Sequence, residues 1–445
     1  MTYSFPGGIR RSGKSEWDSS AAAELYLSVL AAYDMPQADG ECCVPVVSEG
    51  DPVLRGQIIG KSGGDRLCPV LSAVSGKVEA VSEAGTVVIR SDGEMRETEP
   101  LDPIREGIMK VPVQELIQVI RDAAIPESGS AQLALAHLLT EHTGKLKAAF
   151  LNCAEPDPGS VTFSYLTESF PKEIAGGFKI LLRILRVTKG IVLLPKGERS
   201  CAHLEKEVRK SGILRAMRIK DSYPACDPRL TVSELSGKAA YMEQEPLSDG
   251  YASFTPDTCL AVYYACTCGT KMTDRVLTVT GDCFKKPTLV RVGIGTGCRD
   301  VAAEAEPKEV PLRLIAGFSP LSVKERNGNA GAAVRSNTAV LYALSRRACG
   351  GEELPGLLRR GETACIGCGR CAEICPVSLI PSDLFRITEL LGETGMREVF
   401  LHRDGGFCIG CGCCTYVCPS SLPLAEEIAA AQSRICGGND TEEQA

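Results

Sequence analysis

Residues 365–376 and 408–419 carry the same arrangement of cysteine and proline, and this repeat constrains the fold more than any other feature of the sequence. In each copy two residues separate successive members of a cysteine triplet, and a fourth cysteine and a proline follow. The positions are Cys365, Cys368, Cys371, Cys375 and Pro376, then Cys408, Cys411, Cys414, Cys418 and Pro419. This spacing is typical of chains that bind two [4Fe-4S] clusters.

The proline after each fourth cysteine directs that cysteine away from its own triplet, so we expect it to bind the other cluster. The predicted ligands of the first cluster are Cys365, Cys368, Cys371 and Cys418, and those of the second are Cys408, Cys411, Cys414 and Cys375. Structural zinc and disulfides are the alternatives. Zinc sites more often use isolated cysteine pairs or histidine, and only His402 lies nearby. Cys413 is out of register, and we predict a free thiol near the cluster.

Length and charge narrow the class of protein. A chain of 445 residues suggests about three domains. The net charge of -7, without a basic stripe, disfavours a nucleic-acid partner. The most apolar region, residues 174–195, contains four lysines and arginines, so we expect no membrane span. The N-terminus lacks the pattern of a signal peptide. Scattered cysteines outside the repeat fit thiols kept reduced in a cytoplasm.

The remaining patterns predict a multidomain protein of α/β and α+β class. An N-terminal segment with a helix over residues 19–33 is followed by a small all-β unit over residues 36–100, where glycine interrupts short alternating strands. Alternating strands and helices predict a parallel α/β domain over residues 101–234. We then expect an α+β insert (235–318), a connector (319–345), the cluster domain (346–435) and a disordered acidic tail (436–445).

Several short motifs outside the repeat resemble the RnfC-like family. This family comprises the peripheral subunit of the Rnf ferredoxin:NAD oxidoreductase and its soluble relatives. The motifs are residues 5–9 (Phe-Pro-Gly-Gly-Ile), Gly50-Asp51, Gly56-Gln57, and residues 152–158, 223–224, 275–281 and 293–296, ahead of the cysteine repeat. The resemblance implies a barrel-sandwich hybrid as the β unit and an α/β domain like the complex I flavoprotein. It also implies an SLBB β-grasp insert, a C-terminal two-cluster ferredoxin domain, and a site for FMN and NADH.

This chain departs from the family in the glycine-rich loop that cradles flavin and nucleotide phosphates. The corresponding residues 124–134 retain one glycine, Gly129, and place a carboxylate, Glu127, where phosphates approach. The acidic pair implied to contact the cofactor survives as Glu155 and Asp157, although the same residues are also typical of an ordinary turn. Gly129, Glu155 and Asp157 are therefore the candidate flavin and NADH residues.

We predict an iron–sulfur electron-transfer protein that passes single electrons to or from a partner redox protein in the cytoplasm, with peripheral association to a membrane complex as an option that the resemblance leaves open. Two alternatives remain: an FMN-dependent NADH:acceptor oxidoreductase, and a non-catalytic adaptor with structural clusters. Whether the chain is itself an enzyme stays open. Cys266 with Cys268, and Cys42 with Cys43, are spaced too closely for the usual dithiol, and we interpret them as small apolar residues.

Overall fold

A computed structural model describes residues 2–3, 6–10, 17–22, 24–38, 40–104, 107–108, 110–236, 247–323, 333–345, 363–390 and 393–436. The predicted connector and cluster domain therefore lie only in part within the described residues. All but the first residue of the predicted acidic tail lies outside them.

Short strands separated by glycine and proline build the N-terminal part of the protein. They are β1 (Thr2–Tyr3), β2 (Ile9–Arg10), β3 (Leu25–Tyr26), β4 (Leu30–Tyr33), β5 (Gln37–Ala38), β6 (Glu41–Cys42), β7 (Val44–Pro45), β8 (Pro52–Val53), β9 (Ile58–Lys61), β10 (Val70–Leu71), β11 (Gly76–Val81) and β12 (Val87–Ser91). Sheets of order β4-β12-β11-β8 and β10-β9-β7 enclose a core that contains Tyr33, Ile59 and Ile89. This arrangement agrees with the predicted small all-β unit.

The helix predicted over residues 19–33 is wrong. A short 3-10 turn, Ser20–Ala22, is followed by strands β3 and β4. Strand β4 pairs antiparallel with β12, so Ala31 and Tyr33 face the core at 1% and 3% exposure while Leu30 is 42% exposed. Pairing with a strand more than fifty residues away overrides the local helical preference of alanine and leucine.

A parallel sheet of order β1-β15-β14-β13-β17 forms the centre of the molecule. Its elements are α1 (Val113–Asp122), α2 (Leu135–His142), β13 (Ala148–Asn152), α3 (Thr162–Ser169), α4 (Pro171–Leu185), β14 (Gly190–Pro195), α5 (Ala202–Arg209), β15 (Leu214–Ile219), β16 (Ser222–Tyr223), α6 (Pro228–Ser236), β17 (Tyr251–Phe254) and α7 (Pro256–Cys268). Since β17 pairs with β13, this sheet extends past the expected boundary at residue 234.

A second sheet, of order β20-β21-β18-β19-β3, follows. It consists of β3 with β18 (Asp274–Thr280), β19 (Thr288–Gly293), β20 (Arg313–Gly317) and β21 (Val340–Leu344), and helix α8 (Cys298–Glu304) packs on it. Strand β21 lies inside the predicted connector, residues 319–345, and every residue of it is buried. That part of the connector prediction is wrong, because an apolar strand pairs with β18 and β20 there.

The C-terminal part is helical: α9 (Arg370–Ile374), α10 (Pro381–Leu390), α11 (Glu393–His402), a 3-10 turn (Gly405–Phe407), α12 (Cys413–Val417) and α13 (Leu424–Cys436). It covers one face of the parallel sheet. Phe150 of β13 and Leu193 of β14 share a core with Cys375, Phe400 and residues of α13. Parallel sheets need both faces covered, and here helices of the α/β domain cover one face and the cysteine-rich domain covers the other.

Candidate metal centre

The two cysteine runs adopt the same backbone conformation. Gly367 and Gly369 have φ of 67° and 75°, and the equivalent Gly410 and Gly412 have φ of 68° and 77°. These left-handed values are readily adopted by glycine. The second glycine of each run is the N-cap of a short helix, α9 or α12, and the fourth cysteine follows directly after that helix. The sequence repeat is therefore also a structural repeat.

The fourth cysteine of the first run lies with the triplet of the second. Cys375, Cys408, Cys411 and Cys414 line one cavity beside α12 and α13. Burial, together with the neighbouring thiols, raises the pKa of Cys375 to about 11 and that of Cys408 to about 12. The amide of Leu379 donates to the Cys375 sulfur over 3.3 Å. Cys413 also lines this cavity. Cysteines that share one apolar cavity fit a cluster whose binding releases the thiol protons.

The other four cysteines are less enclosed. Cys371 and Cys418 pack together in a small core with Phe385 and Leu422, while Cys365 and Cys368 are exposed. The neighbouring Ile366 is 69% exposed. One predicted cluster site thus lies against the central sheet, and the other lies at the surface of the cysteine-rich domain.

The alternatives of disulfides and single metal ions find no support in the described part of the chain. The described cysteines are free thiols. Within the same residues, no three Cys, His, Asp or Glu side chains converge closely enough to hold one metal ion. Cluster ligands are held further apart than the ligands of a single ion, because the thiolates bind the corners of a cube.

Residues of the α/β domain hold the loop of the second run in place. The Tyr223 hydroxyl donates to the carbonyl of Cys411 over 2.7 Å, and the Arg229 guanidinium donates to the carbonyl of Ile409 over 2.8 Å. The amide of Val323 donates to the carbonyl of Gly410 over 2.9 Å. No sequence pattern identified Arg229 or Val323, whereas Tyr223 belonged to the motifs shared with the family.

The N-terminal glycines contact the first run. The amide of Gly8 donates to the carbonyl of Ile374 over 2.8 Å, and a Cβ on Gly7 would lie 2.3 Å from that oxygen. Ile374 immediately precedes Cys375, so the glycine pair fixes the backbone beside a predicted ligand. The sequence showed the two adjacent glycines, but it did not predict their contact with Ile374.

The remaining thiols do not form a second redox pair in the structure. Cys413 is buried beside Ile9, Tyr223 and Leu321, and this burial raises its pKa well above the usual value. Cys266 is buried and Cys268 is exposed on α7, and Cys43 is buried while Cys42 is exposed. Cys43 and Cys266 agree with the interpretation as small apolar residues, whereas the exposed Cys42 and Cys268 do not.

In the loop expected to cradle flavin phosphates, several backbone amides donate hydrogen bonds to acceptors in the same loop. The amide of Glu127 donates to Leu133, and that of Ser130 donates to Glu127. The amides of Gln132 and Leu133 donate to the Ser130 hydroxyl over 3.1 and 3.0 Å. Gly129 adopts φ of 78°, but the Phe318 ring packs against it. Anion sites at such loops depend on free amides, and four amides of this loop already donate within it.

The acidic pair is buried and hydrogen-bonded within the protein. Glu155 accepts hydrogen bonds from the Ser160 hydroxyl and the Ser164 amide, both at 2.7 Å, at the start of α3. Asp157 accepts from the Tyr342 hydroxyl and from the amides of Gly159 and Leu321. Burial raises the pKa of Asp157, and these hydrogen bonds oppose that rise. Both carboxylates therefore connect elements of the fold.

A cavity of about 200 Å³ remains between this region and the second cysteine run. Its walls include Ser128, Pro156, Thr255, Phe318 and Cys411. Small-molecule sites usually enclose about 300–1,000 Å³. This cavity is smaller than that range and lies beside the predicted cluster ligand Cys411.

Comparisons with known proteins agree with this architecture. Residues 3–94 match the RnfC barrel sandwich hybrid domain, residues 120–264 match the Nuo51 FMN-binding domain, and residues 364–422 match the 4Fe-4S dicluster domain. The three matches define the class as a multidomain iron–sulfur protein with a flavoprotein-type α/β domain.

Several curated proteins are similar in sequence to most of this chain. A subunit of the proton-translocating ferredoxin:NAD(+) oxidoreductase complex of Clostridium ljungdahlii is 25% identical over 86% of this chain and 84% of its own length. The equivalent subunit of the Na(+)-translocating complex of Acetobacterium woodii is 24% identical over 85% and 86%. Its counterpart in the ion-translocating oxidoreductase complex of Vibrio cholerae is 26% identical, over 86% of this chain and 50% of that relative. The N-terminal family match and these relatives confirm the predicted resemblance to the RnfC-like family.

Proposed function

We propose that this RnfC-like protein is an electron carrier that passes single electrons through two [4Fe-4S] clusters to or from a partner redox protein. One observation carries the proposal: Cys375 lines the same cavity as Cys408, Cys411 and Cys414. Crossed ligation of this kind places two clusters side by side, because a ligand of one site lies in each short helix and a ligand of the other site follows directly after it.

The ligand sets follow from this crossing. Cys365, Cys368, Cys371 and Cys418 would hold the first cluster, and Cys408, Cys411, Cys414 and Cys375 the second. The contact between Cys371 and Cys418 in one core supports the first set. Cys413 lines the same cavity as the second set and packs beside Cys411. Its position out of register with the repeat leaves it out of both ligand sets.

The position of the partner's docking surface follows from the burial of the two predicted cluster sites. The second site lies against the parallel sheet, and the first is flanked by the exposed Cys365, Ile366 and Cys368. A partner protein would dock at this exposed edge, since electron transfer requires a short distance between cofactors. The partners are inferred to be subunits of an ion-translocating oxidoreductase, as the names of the relatives state for those proteins.

The location of the chain is part of the same proposal. In the described residues no helix is both long and apolar enough to cross a membrane. We infer a cytoplasmic protein that associates with a membrane complex from one side. We also infer that the sheet β20-β21-β18-β19-β3 is the SLBB-type β-grasp unit, because the α+β insert falls in the expected place between the flavoprotein-type and cluster domains.

We infer that tight flavin binding has been lost. Four amides of the loop and the carboxylates of Glu155 and Asp157 make internal hydrogen bonds. The competing function, an FMN-dependent NADH:acceptor oxidoreductase, is favoured by the match of residues 120–264 to an FMN-binding family.

Anaerobic purification followed by iron, sulfide and flavin analysis separates these functions. The carrier predicts the iron of two four-iron clusters, reversible bleaching by dithionite, and no flavin released on denaturation. One flavin per chain with NADH-dependent bleaching would support the oxidoreductase instead. Clusters that dithionite cannot reduce would support a structural adaptor and contradict both.

A further inference from the structure

A cavity of about 520 Å³ lies between α3, α7 and the strands β18 and β19, apart from the metal centre. This volume is within the range of small-molecule sites. None of its lining residues belongs to the cysteine-rich domain or to the smaller cavity beside Cys411. The proposed electron transfer gives this space no role.

The cavity wall is largely apolar and aromatic. Tyr165, Phe170 and Tyr264 contribute rings, and Leu166 and Leu260 contribute aliphatic side chains. Aromatic walls favour a flat ligand, because rings stack or meet edge to face over a large contact area. The body of a ligand at this site would therefore be an aromatic ring system.

Arg275 and Asp257 form a polar end with unused hydrogen-bonding atoms. Arg275 is buried at 6% exposure, and its guanidinium donates to Asp257 over 3.1 Å and to the carbonyl of Ser336. In the described part of the protein, Nε of Arg275 and Oδ1 of Asp257 are buried without partners. A buried polar atom without a partner is unfavourable, so a ligand that pairs with these two atoms gains affinity.

The other charges in the wall leave an excess of positive charge. Lys271 donates to Thr98, and Asp274 is paired with both Arg55 and Arg291. Arg291 makes its salt bridge through Nε, and its terminal nitrogens make no hydrogen bond recorded among the described residues. Three cationic side chains thus face two carboxylates around the cavity, which favours an anionic ligand.

We propose that this cavity binds a small aromatic carboxylate that also carries an N–H or O–H donor. The ring lies against Tyr165, Phe170 and Tyr264, and the carboxylate accepts hydrogen bonds from Arg275 Nε and from Arg291. The donor of the ligand pairs with Oδ1 of Asp257. Charge-assisted bonds to guanidinium fix the orientation.

Isothermal titration calorimetry on the purified full-length protein tests the proposal with two probe pairs. Indole-3-acetate and 4-hydroxyphenylacetate carry the required ring, carboxylate and donor, and their amides are neutral controls of the same shape. We expect both acids to bind at millimolar concentration or below, and each amide to bind at least tenfold more weakly. Failure of both acids to bind, or equal affinity of acid and amide, overturns the proposal.

A substitution that fills the cavity locates the site. Ala261→Phe places a ring in the cavity from α7, whereas Ala303→Phe makes the same change at an exposed position of α8. We expect Ala261→Phe to abolish acid binding and Ala303→Phe to leave it unchanged, with equal iron content in both variants confirming that each is folded. Unchanged binding in Ala261→Phe places the ligand elsewhere and contradicts the assignment.

Discussion

The hydroxyl of Tyr223 donates a hydrogen bond to the carbonyl oxygen of Cys411 over 2.7 Å, which joins the edge of the α/β domain to the loop of the second cysteine run. The same hydroxyl accepts a hydrogen bond from Ser319 over 3.2 Å. Burial raises the pKa of Tyr223 well above its usual value, so the phenol stays a neutral donor. The bond therefore connects the domain that resembles a flavoprotein directly to a predicted cluster ligand.

Replacing Tyr223 by phenylalanine should lower the reduction potential of the second cluster. Loss of a donor beside the cluster destabilises its more negative, reduced state. The free energy of unfolding should fall by about 0.5–1.5 kcal/mol, as expected for one hydrogen bond. Potentiometric titration followed by electron paramagnetic resonance measures the potential, and Tyr416→Phe on α12 is the control. Equal potentials for Tyr223→Phe and the unaltered protein would contradict this role.

Gly7→Ala should weaken the contact between the N-terminus and the first cysteine run. Gly7 has φ of 57°, and its added Cβ would approach the carbonyl of Ile374 to 2.3 Å. Gly40→Ala is a matched control, because Gly40 also has positive φ, 81°, but has no atom within 4 Å of its added Cβ. The left-handed conformation costs each variant about 1–2 kcal/mol.

The two glycine variants should therefore differ in how well they keep their iron. We expect Gly7→Ala to release iron to a chelator several times faster than Gly40→Ala. The same rate for both would show that the N-terminal glycines do not support the centre.

Glu155→Ala should destabilise the fold without any effect of added flavin. Removing the carboxylate leaves the amides of Phe163 and Ser164 without their partner at the buried start of α3. The expected loss is about 1–3 kcal/mol, measured by denaturant unfolding under anaerobic conditions. If FMN stabilised the unaltered protein but not this variant, Glu155 would be a cofactor residue and the structural interpretation would be wrong.

Phe150→Ala should loosen the cysteine-rich domain from the parallel sheet. Phe150 faces that domain, whereas Phe178 packs in the core on the opposite face of the sheet. Each truncation of a fully buried phenylalanine should cost about 3–5 kcal/mol. Only Phe150→Ala should speed the loss of iron to a chelator at denaturant concentrations where the chain is still folded. Equal rates in Phe150→Ala and Phe178→Ala would contradict the packing role.

Local patterns predicted much of the parallel domain correctly. The alternating pattern over residues 101–234 agrees with the observed helices α1, α4 and α5 and strands β13 and β14. A parallel strand is buried on both faces and therefore forms a continuous apolar run in the sequence. Such a run can be recognised without knowing which strand pairs with it. The cysteine repeat also predicted the crossing of Cys375, which stays a prediction, and Cys375 lines the cavity of the second triplet.

Long-range pairing could not be predicted from the sequence. Strand β3 pairs with β19, and β21 completes the same sheet from within the presumed connector. Nothing local in the helix-like alanine and leucine of residues 19–33 signals those partners. The same limit applies to the site, where the spacing showed the thiols but not the backbone contacts of Tyr223 and Arg229 that hold their loop.

The iron content of two double variants is the sharpest test of the crossed ligation of Cys375. If Cys375 binds the same cluster as Cys408, Cys375→Ala combined with Cys408→Ala removes one cluster, and the anaerobically purified protein keeps the iron of the other. Cys375→Ala combined with Cys365→Ala then removes both clusters. We predict this pattern, with Cys413→Ser retaining full iron as the control. The reverse pattern, in which Cys375 and Cys365 together cost one cluster while Cys375 and Cys408 cost both, would contradict it.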